Sequence, residues 1–90
     1  MISRLHPSFR RQFARLPRDI QDRAREAYRR FQIDPELPGL QFKPLRTSLP
    51  LWSVRISISY RAVGVRKSDD EMVWIFIVTH AEYDKLLANL

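Results

Sequence analysis

Chemistry-bearing side chains are few in this 90-residue sequence: no cysteine, two histidines and three tyrosines, set among 16 Lys and Arg and 10 Asp and Glu. His6 and His80 lie in no Glu-x-x-His or His-Cys spacing, so zinc has no ligand set to build on. Gly39 and Gly64 are the only glycines, which leaves no glycine-rich loop to cradle a phosphate. Covalent acyl chemistry is unsupported as well, since cysteine is missing and no Ser-His-Asp order signature is present. What remains is chemistry without metal or cofactor, carried by Arg, His, Tyr and carboxylate. That set suits phosphoryl transfer on RNA, where the 2′-hydroxyl is the nucleophile and the protein supplies a base, an acid and cationic clamps.

His80 follows an apolar run and opens a helical stretch, a place at the rim of a sheet where side chains meet solvent. Imidazole, with its ordinary pKa of about 6.5, suits proton transfer there; the competing reading is a helix cap or a surface histidine. Tyr83 lies three residues on, so a helix sets it beside His80, either for function or for packing. Arg55 and Arg61 fall on neighbouring strands, as clamps on an anion or as ion-pair partners of Glu82 or Asp84. Lys43 and Arg46 precede the sheet in an exposed loop, where they steer RNA or merely solubilise. Trp52, Trp74 and Phe76 have apolar neighbours and read as core rather than base-stacking platforms.

The elements that position these residues follow from periodicity. Ser8 is expected to cap a short helix with Phe9, Phe13 and Leu16 on one face, stopped by Pro17. From Arg18 to Gln32, Ile20, Ala24, Ala27, Tyr28 and Phe31 form one helical stripe, backed by Asp19/Arg23 and Glu26/Arg30 pairs at i, i+4. The two helices make an αα-hairpin. After the turn-rich segment 34–39 the residues become β-branched and aromatic. Leu51–Ser57 alternates Trp52, Val54 and Ile56 against Ser53, Arg55 and Ser57, and the chain must reverse near Ser57–Ser59 before Tyr60–Arg66. A polar turn at residues 67–70 leads to Met72–Thr79, apolar on both faces as expected of a covered central strand. Glu82–Leu90 reads as a terminal helix, and residues 2–5 as an edge strand. The expected fold is α+β: an antiparallel sheet of three to four strands, an N-terminal αα-hairpin on one face, and a short C-terminal helix. The other face collects Ser53, Arg55 and Arg61.

Length allows one domain over residues 1–90. No apolar run approaches the roughly 20 residues of a membrane span, and the first residues lack a signal-peptide pattern. With no disulfides, the expectation is a cytoplasmic protein without a membrane partner. The net charge of +6 is uneven: residues 1–67 hold 15 bases against 5 acids, and residues 68–90 hold one base against 5 acids. Thirteen of the bases are arginine, whose planar fork suits phosphate and carboxylate, so a polyanion or an acidic protein is the natural partner.

In order along the chain, the basic helical hairpin is followed by Phe42-Lys43-Pro44-Leu45, Leu51-Trp52-Ser53-Val54-Arg55-Ile56 and Ser59-Tyr60-Arg61-Ala62-Val63-Gly64. It closes with Val73–Val78 and Thr79-His80-Ala81-Glu82-Tyr83-Asp84. This arrangement resembles the RelE/ParE superfamily of type II toxins, small basic proteins neutralised by an antitoxin encoded beside them. The resemblance implies one of two activities: metal-independent cleavage of mRNA on the ribosome, as in RelE-like members, or inhibition of DNA gyrase, as in ParE-like ones. A descendant that retains only antitoxin binding is a third possibility. Residue by residue, Arg55 matches a strand base, Arg61 the arginine of a Tyr-Arg pair, His80 the basic position after the last strand, and Tyr83 the terminal tyrosine. Ser53 stands where a second strand base often occurs. The partners implied are a cognate acidic antitoxin, in a toxin–antitoxin hetero-oligomer, and the ribosome with its mRNA.

Overall fold

The computed structural model describes residues 1–89; Leu90, expected at the end of the last helix, lies outside the described residues. The first helix, α1 (Pro7–Ala14), starts with proline at a position where its missing N–H costs nothing. His6, not Ser8, is the cap: its Nδ1 accepts the Ser8 backbone N–H at 3.1 Å. The Ser8 hydroxyl is instead donated to the Ile75 carbonyl at 2.7 Å, which ties α1 to the sheet. Leu16 lies beyond the helix end.

Helix α2 (Arg18–Ile33) follows Pro17 and buries Ala24, Ala27 and Phe31. Its apolar stripe is narrower than the periodicity implies, because Ile20 is half-buried and Tyr28 is 42% exposed. Glu26 pairs with Arg29 and, at 3.5 Å, with Arg30. The expected Asp19–Arg23 pair is not among the ion pairs of the described residues.

The sheet contains β1 (Ile2–Leu5), β2 (Lys43–Pro44), β3 (Leu51–Arg55), β4 (Tyr60–Ser68) and β5 (Glu71–Thr79), in the order β1-β5-β4-β3-β2. It thus has five strands rather than three or four. It is also mixed: β1 runs parallel to β5, while the other three pairings are antiparallel. Hairpin turns force the antiparallel sense on β3, β4 and β5, whereas β1 reaches β5 from the far end of the chain and is free of that constraint. Lys43, expected in a loop, forms β2 with Pro44 and pairs with Ser53.

Between the helical hairpin and the sheet, Phe31 packs edge-on against Phe42 at 4.9 Å and Trp74 at 5.6 Å between ring centroids. The Arg66 guanidinium lies 4.5 Å above the Trp52 ring and closes one end of this aromatic cluster. A bulge in β5 breaks strict alternation: Val63 faces Phe76 and Gly64 faces Trp74, so Ile75 is an extra residue. As a result Trp74 and Ile77, three apart, both enter the core. The bulge also presses β5 onto Gly64, where a Cβ would lie 2.4 Å from the Val73 carbonyl oxygen.

Helix α3 (His80–Ala88) crosses the opposite face and packs Tyr83 against Leu45 and Val63. At nine residues it is too short to cover a five-stranded sheet. Phe76, expected in the core, is paired with Val63 on that partly open face and is 38% exposed. No helix of the described residues is long and apolar enough to cross a membrane.

Candidate active site

The chain reverses between β3 and β4 without glycine or asparagine, and side chains do the work instead. The Ser57 hydroxyl accepts the Ser59 N–H at 3.2 Å, and the N–H groups of Ile56 and Ser57 share the Tyr60 carbonyl. Arg61 then folds back: its Nη1 donates to the carbonyls of Ser57 at 2.7 Å and Tyr60 at 3.0 Å. The Ser59 carbonyl, in turn, accepts the His80 backbone N–H at 2.7 Å. One turn, braced by Arg61, therefore holds the first residue of α3. This is how residues 61 and 80 come to one place.

Thr79 caps α3 with a reciprocal pair of bonds. Its hydroxyl accepts the Glu82 N–H at 3.2 Å, and the Glu82 carboxylate accepts the Thr79 N–H at 2.9 Å. The backbone N–H of Thr79, then its hydroxyl, hold the Glu82 carboxyl below the usual carboxylate range, so Glu82 is ionised at neutral pH. His80 is thus the first helical residue rather than the cap. It is exposed, with Nε2 3.4 Å from a carboxylate oxygen of Asp84 one turn on.

Arg55 and Arg61 are directly opposed across the β3–β4 ladder. Opposed residues have Cβ atoms about 4.5–5.5 Å apart, close enough for two like charges to repel. Neither forms an ion pair with Glu82, Asp84 or any other carboxylate of the described residues. An anion placed between them would remove the repulsion and take up the N–H donors that the turn carbonyls leave free on Arg61, together with those of Arg55. Lys43, opposite Ser53, belongs to the same face on the strand next to Arg55, whereas Arg46 lies exposed in the loop after Leu45.

Tyr83 is near His80, with ring centroids 6.5 Å apart, but it points inward. It is buried, and its hydroxyl lies 3.0 Å from that of Ser53, itself 1% exposed. Ser53, which looks in the sequence like a missing strand base, is the anchor for this helix. Its signal was present in the sequence only as a lone serine on the face that also collects Arg55 and Arg61.

On the other side of the sheet a larger groove, of about 1160 Å³, opens between α1, α2 and β1. Phe9, Phe13 and Leu5 give it an apolar floor, and Arg10, Arg25 and Arg29 line its walls. It is remote from His80 and contains none of the candidate residues.

A mixed sheet bearing an N-terminal helical hairpin on one face and a capped C-terminal helix on the other, with Arg55 and Arg61 opposed on neighbouring strands, defines the class. The family model of the ParE-like toxin domain matches residues 18–85, and the chain belongs to that family, within the RelE/ParE superfamily of toxins. Solved structures agree on the fold. A YoeB/ParE toxin from Agrobacterium tumefaciens is 18% identical with a TM-score of 0.67, over 89% of this chain and 99% of that one. A RelB-RelE antitoxin-toxin complex from Methanococcus jannaschii gives 13% identity and a TM-score of 0.71, over 92% and 96%. YafQ from E. coli gives 13% and 0.61, over 91% and 96%. No curated protein sequence matches.

Proposed function

We propose that this toxin is a metal-independent endoribonuclease that cuts mRNA on the ribosome and so inhibits translation in the cytoplasm. The observation that carries the reading is the unpaired, directly opposed Arg55 and Arg61, set beside an exposed His80 by the same turn. Two guanidinium forks clamp the scissile phosphate and stabilise the charge that builds on its oxygens. The 2′-oxygen bonds to phosphorus as its proton is taken up, and the 5′-oxygen leaves as it gains one; His80 serves as the general acid or base. Asp84 steadies the imidazole, and Tyr83, anchored on Ser53, sets the pitch of the helix that carries it. Lys43 and Arg46 extend the positive surface that guides RNA in.

The partner that restrains it is an acidic antitoxin. The apolar groove with arginine walls between α1, α2 and β1 suits an acidic amphipathic segment, and the complex among the structural neighbours supports such an assembly.

A second reading, gyrase inhibition without catalysis, is favoured by the ParE-like family match. Primer extension on ribosome-bound mRNA separates the two. The nuclease reading expects cleavage that persists in EDTA and slows by about 10²–10⁴ in His80→Ala. No cut by wild-type protein, with loss of DNA supercoiling instead, would establish the gyrase reading. Toxicity absent in both assays would leave only antitoxin binding.

A further inference from the structure

A second cleft, of about 490 Å³, lies between α2 and the Ser57–Ser59 turn. Arg23, Arg30 and Arg55 line it with Glu26, and the hydroxyl-bearing Ser57 and Ser59 form part of its wall. Arg23 and Arg30 are seven residues apart on one face of α2, about 10 Å along the axis. Glu26, between them, is shared: Arg29, which does not line the cleft, engages it together with Arg30. Arg23 forms no ion pair among the described residues. Three cations therefore face one carboxylate that is already engaged. Ile58 at the rim is 77% exposed, an apolar surface beside the charges.

We propose that this cleft is a phosphate-binding subsite for single-stranded RNA, continuing the path of the strand held by Arg55 and Arg61. The inference rests on the nuclease reading for the identity of the strand. Arginine forks favour phosphate oxygens, and the spacing of Arg23 and Arg30 spreads the charge along a backbone rather than around one ion. Arg55 belongs both to this cleft and to the opposed pair, so the two cationic sites are continuous. The apolar floor that an amphipathic protein segment needs is in the other groove, between α1, α2 and β1.

The test is a salt titration of binding, independent of cleavage. Wild type and Arg23→Ala/Arg30→Ala are titrated with a fluorescent 2′-O-methyl RNA of about ten nucleotides, which lacks the attacking hydroxyl. Each single-strand phosphate contact contributes about 0.7 to the slope of log affinity against log salt, so the double variant should be shallower by about 1.4. Arginine and alanine are both strong helix formers, so the variant should fold; a thermal melt checks this, and Arg23→Ala alone should show half the slope change. Cleavage is read separately: wild-type protein that binds in this way but never cuts ribosome-bound mRNA sinks the nuclease reading and leaves the cleft standing. An unchanged slope in the folded double variant overturns the proposal, as does wild-type protein that binds no RNA. If the double variant instead loses affinity only for polyglutamate, the cleft docks protein and the proposal fails.

Discussion

The hydroxyl groups of Ser53 and Tyr83 meet at 3.0 Å in the buried space between β3 and α3. Tyr83→Phe removes one partner and leaves the Ser53 hydroxyl buried and unpaired, at a cost of about 1–3 kcal/mol. Replacing both, in Ser53→Ala/Tyr83→Phe, should recover much of that loss, because no polar group is then stranded. Denaturant melts of the three proteins measure it. Cleavage that follows stability through the series assigns Tyr83 to positioning α3; cleavage still abolished in the double variant, despite its recovered stability, assigns the Tyr83 hydroxyl to the chemistry.

Arg61 has two tasks that substitution separates. It braces the Ser57–Tyr60 turn and, opposite Arg55, is the proposed clamp on the scissile phosphate. Arg61→Ala should lower cleavage by about 10²–10³ and also reduce the melting temperature. Arg55→Ala, which breaks no such turn bonds, should lower cleavage at nearly unchanged stability. Equal melting temperatures for the two variants would show that the brace contributes nothing.

Acid should loosen the C-terminal helix by a defined route. The folded-state pKa of Glu82 is depressed, so its stabilising contribution is complete above the unfolded carboxylate value of about 4.3 and is lost as pH falls through the lower folded value. Wild type should therefore be more stable than Glu82→Ala at neutral pH, and the two should converge below about pH 4. Thr79→Ala should cost about 1 kcal/mol at neutral pH. A gap between wild type and Glu82→Ala that stays constant with pH would remove the cap from this account.

Gly64 tolerates no side chain. A methyl group there would meet the Val73 carbonyl and the Trp74 Cα, both backbone. Gly64→Ala should destabilise the protein by about 1–3 kcal/mol or more, seen as a lower urea midpoint. An unchanged midpoint would mean that the bulge relaxes freely.

The helices, β3 to β5 and the family were legible in the sequence because each depends on local periodicity or on ordered motifs. Ala24, Ala27 and Phe31 fall where a helical stripe puts them, and Trp52 and Val54 where a strand does. What local patterns could not show were the contacts between distant residues. Ser8 looks like a cap until Ile75 claims its hydroxyl, 67 residues away. Ser53 looks like an absent base until Tyr83 reaches it. Arg55, Arg61 and His80 were readable as candidates from type and order. That one guanidinium also props the turn beneath His80 depends on carbonyl positions, which no side-chain pattern records.

The parallel union of β1 with β5 sets Ile2 opposite Glu71 and Leu5 opposite Trp74. Strand β1 waits for β5, and so do the Ser3 hydroxyl that receives the Trp74 indole N–H and the Ser8 hydroxyl bonded to Ile75. Closing so long a loop is slow, and it is impossible while residues 71–79 are still unmade. A nascent chain therefore carries its helical hairpin with no complete floor beneath it, and a fragment ending before residue 71 lacks the strand that joins both ends of the molecule.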